Sequence, residues 1–100
     1  MTVATPKELL QRHGLSAKKS WGQNFLSDPR VYAAIVAACD VTPGRPVVEI
    51  GAGLGTLTAR LLDAGAGVTA VERDRDMCAV LRAELGERPG FTLVEDNALT

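Results

Sequence analysis

The chain has 100 residues, 46% of them hydrophobic and 23% charged, which is room for one small globular domain. Ten glycines and five prolines exclude a collagen-like or low-complexity chain, and no apolar run approaches the roughly 18 residues of a membrane span. The net charge is −1, yet residues 1–30 carry five basic against two acidic side chains and residues 31–100 carry six against ten. A basic leader ahead of an acidic body points to an anionic partner for the leader.

The first ten residues include Lys7 and Glu8 and no apolar core segment, so no secretory signal is read and a cytoplasmic location is expected. Thr5-Pro6-Lys7-Glu8 predicts a capped helix start, with Gly14 as its stop. His13, on the end of that helix, reads as a surface residue. Ser16 to Gly22 reads as a polar, basic connector. Asp28-Pro29 opens a second helix, with Val31, Tyr32, Ile35, Val36 and Cys39 at helical spacing and Pro43-Gly44 after it. The period then changes. Val47 to Ile50 is a β-branched run, Thr56 to Ala64 is helical, and Val68 to Val71 is a second strand. Asp74 to Leu85 is a helix with Met77, Cys78, Val80, Leu81 and Leu85 inward, and Phe91 to Val94 is a third strand. The two cysteines, Cys39 and Cys78, have no neighbouring Cys or His at ligand spacing and read as free thiols; no metal site is expected.

Strand, helix, strand, helix, strand predicts a parallel α/β sheet. Right-handed crossovers give the strand order 3-2-1, half of a doubly wound domain. Ligands of such sheets sit at the carboxyl ends of the strands, and all three strands end in site-like residues. The first runs into Gly51-Ala52-Gly53-Leu54-Gly55, a turn against which a ligand can lie without meeting a Cβ. Thr56 stands where the dinucleotide fingerprint has its last glycine, which disfavours the rival reading of a nucleotide-cofactor oxidoreductase. The second strand ends at Glu72, a carboxylate able to accept both hydroxyls of a ribose. The third ends at Asp96-Asn97, where a side-chain oxygen can accept from an adenine amine or simply form a turn. Lys18 and Lys19 beside Trp21 suit a phosphate backbone and a stacking surface.

Lys18-Lys19-Ser20-Trp21-Gly22-Gln23-Asn24-Phe25-Leu26, then Glu49-Ile50-Gly51-Ala52-Gly53-Leu54-Gly55-Thr56-Leu57-Thr58, then Val71-Glu72-Arg73-Asp74, resemble the small-subunit ribosomal RNA adenine dimethyltransferases over residues 17–100. The erythromycin-resistance ribosomal RNA methylases are similar in the first two motifs. The resemblance implies a Rossmann-like class I methyltransferase fold, of which residues 23–100 form the N-terminal half behind a basic leader, residues 1–22. It implies S-adenosylmethionine as cofactor and small-subunit ribosomal RNA as partner, without membrane or metal, in a full-length enzyme that is a monomer. It also implies cofactor contacts at Asn24, Leu26, Gly51, Gly53, Glu72 and an acid near the adenine, and RNA contacts at Lys18 and Lys19. The family's acid-Ala-Leu pattern falls on Asn97-Ala98-Leu99, so Asn97 is the expected adenine contact and Asp96 the alternative. Ala52 replaces a proline common in that loop. The catalytic motif of the family follows a fourth strand, beyond Thr100. No catalytic residue is therefore assigned, and the chain by itself is expected to transfer no methyl group. A non-catalytic RNA-binding fragment is the other reading.

Overall fold

The computed structural model describes residues 4–16 and 28–96. The elements are α1 (Pro6–Arg12), α2 (Pro29–Ala38), β1 (Pro46–Ile50), α3 (Thr56–Asp63), β2 (Gly67–Glu72), α4 (Arg75–Leu85) and β3 (Phe91–Glu95). The three strands are parallel, with β2 paired to β1 on one side and β3 on the other. This is the adjacency expected from right-handed crossovers.

Alternation explains which face is covered. Val68, Ala70 and Glu72 of β2 are buried, while the residues between them are half-buried. Leu61 and Leu62 of α3 and Leu81 and Leu85 of α4 pack on Val68 and Ala70 to form the core. All five inward residues predicted for α4 are buried, because apolar positions three and four apart share one helix face. On the opposite face Val48, Ile50 and Val94 are exposed.

The helix ends follow local chemistry. In α1 the Thr5 hydroxyl accepts from the Glu8 amide and the Glu8 side chain accepts from the Thr5 amide, a reciprocal cap. Its last carbonyls are satisfied by the amides of Gly14 and Leu15, with Gly14 at φ 66°. The second helix stops at Ala38, ahead of the expected Pro43-Gly44 signal. Asp40 takes the left-handed conformation there, at φ 51°, a role that a short polar side chain fills in place of glycine.

His13 is not free surface. Its Nε2 lies 2.8 Å from one Glu84 oxygen, and the Arg12 guanidinium donates to the other at 2.6 Å. Leu9 is buried with Leu54, Met77 and Val80, so α1 docks on α4 and on the glycine turn together. Burial pushes the Glu84 carboxyl upward, but the bonds from His13 and Arg12 outweigh it and hold the pKa below the ordinary glutamate value of 4.5. A depressed folded pKa stabilises at pH above the unfolded value, and that stability is lost as pH falls from there through the folded value. Hydrogen exchange of the Leu9 and His13 amides, corrected for intrinsic rates, should therefore lose protection as pH drops below about 4.5. Glu84→Gln should remove that pH dependence; an unchanged profile would contradict the docking.

Candidate functional site

β1 runs directly into the glycine turn. Gly51, Gly53 and Gly55 all have positive φ, at 71°, 59° and 81°, so each glycine of the Gly-x-Gly-x-Gly spacing fills a backbone need that other residues meet only with strain. A Cβ on Gly51 would enter open space. A Cβ on Gly55 would come 2.8 Å from Leu81 and 3.0 Å from Leu85, which seats the turn on α4.

Glu72 reaches the turn from the next strand. Its side chain is buried, with Oε1 accepting from the Gly53 amide at 2.7 Å and Oε2 accepting from the Asp74 amide at 2.9 Å. Each carboxylate oxygen has a second lone pair, so both remain able to accept from a neighbouring diol. The backbone amide of Asp96 donates to the Glu72 carbonyl at 3.0 Å, bringing the end of β3 to the same place. Gly51, Gly53, Glu72 and Asp96 are thus brought to one sheet edge. Asn24, Leu26, Lys18, Lys19 and Asn97 lie outside the described residues. In the charged run after Glu72, Asp74 caps α4: its Oδ1 accepts from the Met77 amide at 3.0 Å. Among the described residues no cluster of His, Cys, Asp or Glu is arranged to hold a metal.

Glu49 was not singled out by its sequence position. It faces the helices beside Val47 and its carboxylate accepts a hydrogen bond from the buried hydroxyl of Thr58. The signal was the alternation of β1, which turns an acid toward a helix-covered face. Burial raises the Glu49 pKa, the Thr58 bond opposes this, and the charge of Glu72 adds to the rise. Two carboxylates beside one turn make a negative pole suited to the cationic part of a ligand, next to the amide-rich start of α3. A raised folded pKa in an acid stabilises below the unfolded value and is lost as pH rises through the folded one. Glu49→Gln, which keeps an oxygen for Thr58, should therefore raise the melting temperature at pH 7, and the gain should vanish at pH 4 and below. A loss of stability at pH 7 would contradict this.

Cys78, behind Glu72, is fully buried and its thiol donates to the Glu72 carbonyl at 3.3 Å. Burial pushes the thiol pKa up to about 11, which makes it inert as a nucleophile.

The profile of the family described as "Ribosomal RNA adenine dimethylase" matches residues 14–100. The chain is 57% identical over 94 residues to the "Ribosomal RNA small subunit methyltransferase A" of Anaeromyxobacter dehalogenans, covering 94% of the chain and 32% of that protein. It therefore spans about a third of the length of the curated relatives it matches. Among solved structures, the 23S rRNA methyltransferase ErmE superposes with a TM-score of 0.69 at 36% identity, over 77% of this chain and 32% of that one. A dimethyladenosine transferase from Plasmodium falciparum gives 0.65 at 29% identity, over 77% and 29%. These likenesses are to the N-terminal part of class I methyltransferase folds. Among the described residues no helix is long and apolar enough to cross a membrane.

Proposed function

Because the chain belongs to the ribosomal RNA adenine dimethylase family, we propose that its full-length protein dimethylates adenines of small-subunit ribosomal RNA in the cytoplasm. These residues contribute the binding half of the S-adenosylmethionine site. The observation that carries the reading is the Glu72 carboxylate, bonded to Gly53 across the strand ends and retaining acceptor capacity on both oxygens. The donor set suits the cofactor. The space in front of Gly51 is open, and α3 begins with no side-chain cap on its first amides. When bound, S-adenosylmethionine supplies an electrophilic sulfonium methyl.

The residues of this chain then bind and orient. Glu72 accepts from the ribose diol, Gly51 and Gly53 let the backbone approach closely, and Asn97 or Asp96 accepts from the adenine amine. Glu49 and Glu72 favour the positive charge of the sulfonium. Asn24 and Leu26 complete the cofactor wall in this reading, and Lys18 and Lys19 take RNA phosphates. None of these residues moves a proton; their contribution is position. The test is incubation of the full-length protein with methyl-labelled S-adenosylmethionine and unmodified small ribosomal subunits. The expected label is in dimethyladenosine; label confined to another nucleoside, or none, would overturn the reading.

The lysine pair is tested separately. Replacing Lys18 and Lys19 together with alanine should flatten the salt dependence of RNA binding by up to about two units of log–log slope. Cofactor affinity should stay close to the parent's. An identical salt slope would remove the lysines from the RNA contact.

A further inference from the structure

The helix behind the glycine turn is built differently from its neighbours. α1, α2 and α4 each begin with a side-chain cap, from Thr5, Asp28 and Asp74. α3 has Gly55 at that position, at φ 81°, and no side-chain cap bond. A capping side chain would occupy the first-turn amides that an anionic group of a ligand needs. Thr56, the first residue of α3, is instead bonded by a side chain of another helix.

That side chain is Tyr32 of α2. It is only 6% exposed, and its hydroxyl shares a 2.7 Å hydrogen bond with Thr56 Oγ1, on the first residue of α3. Arg60 lies one helical turn further on, on the same face of α3. Its guanidinium sits 5.0 Å from the centroid of the Tyr32 ring, and its buried Nε has no hydrogen-bond partner among the described residues. The ring is therefore gripped at its hydroxyl by Thr56 and across its face by Arg60. The Tyr32 side chain is buried and packed, so its bond to the half-buried Thr56 hydroxyl ties α2 to the first residue of α3 in one geometry.

We propose that Tyr32 is a positioning residue of the cofactor site, fixing the first turn of α3 through Thr56 in place of an N-cap. The inference rests on the cofactor reading given above. It assigns Tyr32 no contact with the cofactor itself; it acts through Thr56.

The test uses the full-length protein and calorimetric titration with S-adenosylmethionine, at a temperature where every variant is folded. Tyr32→Phe keeps the ring and removes the hydroxyl. It should raise the dissociation constant about three- to tenfold, the range of one lost neutral hydrogen bond. Thr56→Val should do the same, Thr56→Ser should bind close to wild type, and the double variant should bind no worse than the weaker single one. The Michaelis constant for cofactor should rise, and that for RNA should not. Wild-type affinity in Tyr32→Phe, simple addition of the two losses, or a lowered melting temperature with unchanged affinity would each overturn the inference alone. A wild-type protein that binds no cofactor would overturn it together with the cofactor reading.

Discussion

Glu72→Ala in the full-length protein is expected to weaken S-adenosylmethionine binding by about ten- to a hundredfold, the equivalent of about 1.5–3 kcal/mol of lost charge-assisted hydrogen bonding. Two losses act together. The ribose diol loses its acceptor, and the Gly53 and Asp74 amides lose the carboxylate that ties the glycine turn to the end of β2. Glu72→Gln should fall between wild type and alanine. Its carbonyl can serve one of the two backbone amides, but its NH2 then faces the other donor. Calorimetric titration decides the matter, and an unchanged dissociation constant in Glu72→Ala would remove Glu72 from the site.

The second large effect is on stability. Gly55→Ala places a Cβ 2.8 Å from Leu81 and 3.0 Å from Leu85, at a backbone angle of φ 81°. The left-handed backbone costs an alanine roughly 1–2 kcal/mol, and overpacking of a tight site adds about 1–3 kcal/mol. Against a typical total of about 5–15 kcal/mol, that should lower the melting temperature by on the order of ten degrees. Gly51→Ala separates strain from crowding. Gly51 also has a positive φ, 71°, but its Cβ would meet nothing within 4 Å. The melting temperature should fall less than in Gly55→Ala, while cofactor affinity falls more, since the added methyl occupies the space in front of the turn. Equal melting temperatures for the two variants would contradict the packing described for Gly55.

Much of this frame was legible in the residues themselves. The inward set of α4, from Met77 to Leu85, was legible because periodicity and burial have one cause. The order of the strands was legible because crossover handedness is nearly invariant. Glu72 stood out because a carboxylate at a strand end, at nucleotide-site distance from a glycine turn, is a local pattern. The contacts of Glu49 with Thr58, Tyr32 with Thr56, and Arg12 and His13 with Glu84 were not legible. Each joins two different elements, and nothing in the spacing of one element specifies which residue of another its side chain meets. Asp40 ended α2 earlier than the Pro43-Gly44 signal suggested, because an aspartate can adopt the left-handed turn that sequence rules assign first to glycine. Asn24, Leu26, Lys18, Lys19 and Asn97 rest on the family resemblance and on the experiments that address them.

The most direct measurement maps the cofactor onto the backbone. Amide chemical shifts of the full-length protein, followed during titration with S-adenosylmethionine, should move most at Gly53 and Asp74, whose amides Glu72 holds, and at Thr56 to Thr58 in the uncapped first turn of α3. A cavity of about 180 Å³ lies among α1, α3 and α4; it shares Gly55 and Thr56 with the edge of the proposed site and is otherwise lined in part by Leu9, Ala59, Glu84 and Arg88. Shifts at Leu9, Ala59, Glu84 and Arg88, with Gly53 and Asp74 unmoved, would place the cofactor elsewhere and contradict the site at the strand ends.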